Sequence, residues 1–299
     1  MENNECIFRR VRESLNSRAD VVRTACILEA TAPKVGNVHP DACFEDLTFD
    51  DFVTAADCTA AAMGELRSID RFGPSILEAI GSTRRATGTN VNLGILLLLG
   101  PLLVGQPDRA DAGDDRWRLG IAEALGQMTP EHGGYVAAAI VEANAGGLGT
   151  SEVDEDDPLN IANLNADVSV PTPYDLIEAM RRSAHRDRVA LQYATGFEDL
   201  FENVVPTLRR SVAETGDLLD GIVLAHIRLI AAAGDSLIAR KCGIDQSRRI
   251  QDLAKKCLDN AGPDSIAELD RQLRDSQHRL NPGTTADLIA AGLYVCLVH

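Results

Sequence analysis

A chain of 299 residues, 45% of them hydrophobic, is long enough to bury a substantial core, as one large domain or two ordinary ones. Its 45 acidic and 29 basic residues give a formal charge of −16 and a pI near 4.8. That balance weighs against a nucleic-acid backbone or an anionic membrane face as partner, since both would repel this surface, and leaves a small anionic ligand open wherever Lys and Arg gather locally.

The N-terminal "MENNECIFRRVRESLNS" lacks the apolar core of a signal peptide. Seven cysteines, at 6, 26, 43, 58, 242, 257 and 296, show no C-x-x-C spacing, so reduced thiols in a cytoplasmic protein are expected rather than a zinc knuckle or a disulfide framework. "SRADVVRTACILEATAPK" predicts a helix that opens with Ser17 and Asp20 in capping-box spacing and ends at Pro33. "TFDDFVTAADCTAAAMGELR" repeats the device with Thr48 and Asp51. The most apolar run, Ile95 to Val104, is interrupted by Gly100 and Pro101 and falls short of the roughly 20 apolar residues of a spanning helix. It predicts a core helix that presents the polar turn before it.

Helical patterning continues through "DRWRLGIAEALGQM" and "GGYVAAAIVEAN". It then stops from Gly146 to Pro173, where glycines, four consecutive acids and three prolines leave no helical period; a solvated linker and a mobile cover both fit this segment. Helices resume in "YDLIEAMRRSAHRDRVALQYA", "FEDLFENVVPTLRRSV", "GDLLDGIVLAHIRLIAAAG", "SIAELDRQLRDSQHRL" and "TTADLIAAGLYVCLV". Strand signals are confined to pieces such as "ADVSVPT", and aromatic residues make up only 4%. The expected fold is all-α, a single helical domain over 1–299 with an irregular loop at about 146–173.

Five places interrupt apolar faces with polar groups. Glu29 shares a helix face with Val22, Ala25 and Cys26, so its carboxylate is expected to be partly buried and in need of a cation, a metal or several donors; Lys34 is a ready cation. In "FEDLTFDDF", Asp50 and Asp51 suit the first turn of a helix, whereas Asp46 precedes the cap and is open to a divalent-ion role. "ATGTNVNLG" places Gly88, Gly94, Asn90 and Asn92 before a helix, which fits an ordinary turn and cap as well as an anion site. In "GDSLIARKCG", Asp235 with Arg240 and Lys241 could clamp a phosphate and its metal or pair on a surface. In "NPGTTADLIA", Asp287 follows Thr284 in capping-box spacing.

Taken in order, these segments resemble the triphosphoribosyl-dephospho-coenzyme A synthase family, which is all-helical and uses ATP and dephospho-coenzyme A with displacement of adenine. Glu29, Pro33, Lys34 and Gly36 fall on its E-x-x-x-P-K-x-G pattern, and Asp46 and Phe52 on its acidic run. Asn90 and Gly94 match its asparagine–glycine turn, Asp235 and Gly243 its D-[ST]…G segment, and Pro282, Gly283, Ala286 and Asp287 its P-G-x-x-A-D ending. The departures lie in the basic set: Asn92 and Leu93 stand where histidine and lysine are usual, and Phe44 and Arg240 where further histidines are common. That pattern is similar to a divergent branch associated with tetrahydromethanopterin-linked one-carbon metabolism.

The resemblance implies a nucleotide substrate with Mg²⁺ held by Glu29, Asp46, Asp235 and Asp287. It implies acid or base roles for Glu29 and Asp46, with Glu29 the general base. Phosphate or substrate contacts would come from Lys34, Gly36, Gly88, Asn90, Asn92, Arg240, Lys241, Gly283 and Thr284. No nucleic-acid or membrane partner is expected, and a homodimer is allowed. Two other readings stand beside this one: an enzyme of one-carbon cofactor biosynthesis acting on another nucleotide or a pterin-like molecule, and a helical binding protein without chemistry.

Overall fold

A helix that is apolar on every side has to be covered on every side, and two such helices organise this chain. The computed structural model describes residues 2–108, 113–143, 171–260, 262–274 and 278–298. Among these residues there are fifteen α-helices and a π-helical segment, and the only extended pairing is an isolated bridge between His39 and Ala42. The fold is all-α. It divides into two compact units, the first made of Met1–Asn16, Thr24–Val53 and Leu200–His299, the second of Ser17–Arg23 and Thr54–Asp199. Helices α2 (Arg18–Thr31) and α3 (Phe49–Met63) contribute residues to both.

The second unit is built on α5 (Leu93–Gly105), which is the apolar run of the sequence. It packs against α4 (Ile69–Thr87), α6 (Gly113–Gly126) and α9 (Arg188–Thr195), while α7 (Pro130–Ala143) lies along α4 and meets α8 (Leu176–Ser183). Gly100 admits Phe72 so closely that a Cβ there would fall 1.9 Å from the ring's Cε2. Pro101 has no N–H to give to the carbonyl four residues back, at Leu97. The Tyr193 hydroxyl takes over that carbonyl at 2.6 Å. At the end of the helix, where carbonyls lack intrahelical donors, Trp117 Nε1 reaches Leu102 O at 2.8 Å and Arg18 Nη2 reaches Leu103 O at 2.6 Å. Burial pushes the Tyr193 hydroxyl well above its ordinary pKa, so it stays a neutral donor. Tyr193→Phe leaves the Leu97 carbonyl stranded in the core and is expected to cost about 1–3 kcal/mol, read as a lower urea midpoint with an unchanged slope.

The first unit is built on α15 (Gly283–Val298), buried along almost its whole length. Around it lie α1 (Glu2–Glu13), α10 (Val205–Thr215), α11 (Leu218–Ala233), α12 (Ser236–Cys242) and the π-helical Leu200–Val204; α13 (Ile244–Asp259) packs on α11 and α12, and α14 (Pro263–Leu273) on α13. The six described cysteines are free thiols, and the buried ones, Cys26, Cys257 and Cys296, all belong to this unit.

Four helices, α1, α4, α12 and α13, go beyond the segments expected from periodicity. The single helix expected over "YDLIEAMRRSAHRDRVALQYA" is two, α8 and α9, because Asp187 turns from a helical position into a cap that accepts from Val189 N at 2.8 Å and Ala190 N at 3.2 Å. Residues 146–170 of the expected irregular loop lie outside the described residues. No single described helix is long and apolar enough to cross a membrane; α11 and α12 pass that test only as a pair bent by 58°.

Candidate functional site

The Ser17–Asp20 capping box forms as the sequence predicts, with Ser17 N donating to Asp20 Oδ2 and Asp20 N to Ser17 Oγ, both at 3.0 Å. It fixes the start of α2, and Pro33 follows its end. That phasing turns Glu29 inward, with 4% of its surface exposed. The chain then folds back so that the wholly buried Lys34 places its ammonium 2.9 Å from Glu29 Oε1 and also donates to the Glu29 carbonyl. A buried carboxylate and a buried ammonium are each tolerable only because of the other. The cation that the sequence suggested for Glu29 is therefore in place, and its charge is committed inside the protein.

Lys34 opens a turn closed by Asn37 N–H donating to Lys34 O at 3.1 Å. Its third residue, Gly36, has φ +73°, and a Cβ there would meet Leu273 Cβ at 2.8 Å and Pro282 Cδ at 3.1 Å. Glycine is thus required twice over, by the left-handed backbone and by the close approach. Asn37 Nδ2 donates to Asn281 Oδ1 at 2.8 Å, joining this turn to the residues that lead into α15. Both Glu29 and Asp287 act electrostatically on Cys26; with burial as the main cause, they hold its thiol far above the ordinary range. The same neighbourhood contains His226, fully buried on α11, whose ring nitrogens make no hydrogen bond of normal geometry. Burial, then the Lys34 charge, keep this imidazole neutral, and the nearby Pro282 carbonyl only partly opposes them.

Asp235 sits at the N-cap of α12, immediately after Gly234 ends α11. Its Oδ1 accepts from Leu237 N at 2.9 Å and Ile238 N at 3.1 Å, and its Oδ2 accepts from Thr285 N and Thr285 Oγ1, both at 2.8 Å. Burial raises its pKa, and these four hydrogen bonds hold part of the rise back. A carboxylate has about four lone-pair sites, so Asp235 has none left for a metal. It is a cap that also fastens α12 to the start of α15.

The other acids assigned to a metal do not complete a cluster. Asp46 is exposed in the turn before α3, and among the described residues no three of His, Cys, Asp and Glu stand together as metal ligands. Arg240 is half-buried and Lys241 exposed, both in the last turn of α12, while Gly283 begins α15 and Thr284 is buried beside it. In the second unit, Gly88 is the left-handed stop of α4, its N–H donating to Arg84 O at 2.8 Å, which accounts for its glycine without a ligand. Asn92 precedes α5 without capping it, and its Nδ2 is turned to Thr59 Oγ1 at 3.3 Å. Asn90 keeps a buried Oδ1 with no protein partner.

Asn37, His226, Asp270 and Arg274 are close to the Glu29–Lys34 pair or its turn, and Thr285 is bonded to Asp235; none of the five stands out in the sequence as a site residue. Only Asn37 and Thr285 carried a signal, as polar neighbours of the "PKVGN" and "NPGTT" stretches. His226, Asp270 and Arg274 look like ordinary members of helical periods.

Residues 15–299 match the CitG family, described as ATP:dephospho-CoA triphosphoribosyl transferase. Among curated proteins none matches this chain. A crystal structure of an Archaeoglobus fulgidus protein, provisionally described as a triphosphoribosyl-dephospho-coA synthase, is similar in fold with a TM-score of 0.58 and 21% identity, covering 83% of this chain and 97% of that one. With the match spanning all the segments described above, the chain belongs to the ATP:dephospho-CoA triphosphoribosyl transferase family.

Proposed function

We propose that this protein moves a phosphoribosyl-type group from a nucleotide, ATP in the first instance, to an acceptor hydroxyl such as that of dephospho-coenzyme A, releasing adenine. The observation that carries this reading is the direct bond between Asn37 and Asn281, which joins the Glu29–Gly36 and Asn281–Asp287 segments of the family in one unit. In the reaction, the bond between the anomeric carbon and adenine breaks, the base leaving with the electron pair and taking up a proton. The acceptor oxygen bonds to that carbon and loses its own proton. Charge that develops on the ribose ring is positive, which favours carboxylates nearby.

Glu29 is the base in this scheme, and the ion pair with Lys34 at 2.9 Å fixes its orientation. Lys34 is already committed to Glu29, so phosphate contacts fall to Arg240 and Lys241. Among the described residues no three acids stand together as ligands, and Mg²⁺ in this scheme enters as the counter-ion of the nucleotide, part of the substrate. A second reading, a nucleotide or pterin-like substrate of one-carbon cofactor biosynthesis, is favoured by Asn92, which occupies a usual histidine position and is turned to Thr59.

Purified protein incubated with ATP, dephospho-coenzyme A and Mg²⁺ is expected to release free adenine in step with a product whose mass includes the added triphosphoribosyl group. Adenine release that needs no acceptor, or none at all while another nucleotide raises the melting temperature, would reject the first reading for the second.

A further inference from the structure

The turn that delivers Lys34 to Glu29 belongs to no helix, and its own backbone bonds cover only part of it. Lys34 N donates to Ala32 O at 2.6 Å and Asn37 N to Lys34 O at 3.1 Å. Two further groups are met by Asp270 of α14 and by Arg274 at its C-terminal cap. Gly36 N–H donates to Asp270 Oδ1 at 2.8 Å, Arg274 Nε to Asp270 Oδ2 at 2.7 Å, and Arg274 Nη2 to Asn37 O at 2.8 Å. A carboxylate and a guanidinium thus close a ring of hydrogen bonds around the peptide between Gly36 and Asn37. Leu273, between them in sequence, fills the space that a side chain at Gly36 would need. The Arg274 guanidinium also lies 5.9 Å from the centre of the Phe44 ring, whose other partner is His278, stacked at 3.7 Å.

We propose that Asp270 and Arg274 are positioning residues for the Glu29–Lys34 pair, acting through the Lys34–Asn37 turn. The inference rests on the reading that Glu29 works in the reaction. An Asp–Arg pair one helical turn apart and partly exposed contributes little to global stability. Here, however, each partner's second bond goes to the backbone of a non-helical turn whose other ties are its own two backbone bonds and the Asn37–Asn281 side-chain contact. Loss of either leaves Gly36 N–H or Asn37 C=O to water, and the turn loosens where it carries a buried ammonium. Misplacing a working group by about an ångström can reduce turnover roughly 100-fold.

The test uses the full chain with Asp270→Ala, Asp270→Asn and Arg274→Gln, and Arg228→Gln as control, since Arg228 pairs with Glu214 in the same unit without touching the turn. Acetylation of Lys34 by an activated acetate ester, followed by peptide mass spectrometry, is expected to be negligible in the parent and control. It should rise at least ~10-fold in Asp270→Ala and Arg274→Gln, with α15 amides as protected from hydrogen exchange as before. Turnover at saturating substrates is expected to fall roughly 10–100-fold in the same two variants with KM changing far less. Asp270→Asn, which keeps an acceptor for Gly36 N–H, should lie between them and the parent. Lys34 that stays protected, α15 amides that open along with it, or full turnover despite an accessible Lys34 would each overturn the proposal. A parent protein that releases no adenine refutes the parent reading instead, and acetylation with exchange then decides whether the brace exists.

Discussion

Lys34→Met is expected to lower the stability of this protein by about 3–5 kcal/mol, and Glu29→Leu/Lys34→Met to recover most of that loss. The single substitution removes the cation that faces the Glu29 carboxylate and leaves that group buried. The double substitution removes both charges and refills the space with apolar atoms, which is why a buried pair can be costly to break and cheap to replace. Urea midpoints of the two single variants and the double, combined in a thermodynamic cycle, give the coupling directly; additive losses would show that the two charges do not depend on each other. The same reasoning applies to Glu29→Gln, the substitution that tests the base role most directly. With Lys34 stranded, that variant loses stability as well, so turnover has to be compared with a double variant in which the lysine is also neutral.

The second large effect is expected at Asp235. Asp235→Ala removes the cap of α12 and leaves the buried Thr285 N–H unpaired, together a loss of roughly 2–5 kcal/mol. Asp235→Asn keeps an acceptor for Leu237 N and Ile238 N but turns an amide donor toward the Thr285 N–H, so an intermediate loss is expected. Its pH dependence has a definite sign. The folded pKa of Asp235 is raised from 3.8, mainly by burial, so the protonated form favours the folded state. Its contribution is complete below the unfolded value and declines as pH rises through the folded one. The advantage of the parent over Asp235→Asn should therefore be larger near pH 3.8 than at neutrality. A stability difference that grows with pH would contradict the raised value.

The helical nature of the chain was legible because it depends on local period and capping, and the Ser17–Asp20 box shows how directly a four-residue pattern can fix a boundary. Thr48 and Asp51 form half of such a box: Thr48 N and Oγ1 both donate to Asp51 Oδ2, at 2.8 and 2.9 Å, while Asp51 N goes to the Thr48 carbonyl at 3.2 Å. The candidate site was legible only where residue type and neighbours constrain each other, as at Glu29, whose apolar face demanded a cation. The bonds from Thr285 to Asp235 were not legible because the two residues are 50 positions apart; the Gly234–Asp235 step did carry the signal of a helix break and a cap. Asp270 and Arg274 had no such signal: an acid followed four residues later by a base on a helix is an everyday surface pair. Nothing along the chain says that their second bonds reach Gly36 N–H and Asn37 C=O.

The distribution of thiols has a practical consequence. Cys26, Cys257 and Cys296 are enclosed in the first unit, whereas Cys43 is exposed and Cys58 and Cys242 are half-covered. Alkylation is carried by the thiolate, so Cys26 is silent for two reasons while folded: the reagent cannot reach it, and its proton is held by burial and two neighbouring acids. Brief pulses of an alkylating reagent therefore time the opening of that unit at three native positions, with no label introduced. Cys26 would be the last to report, because it reacts only after Glu29 and Asp287 have moved away from it.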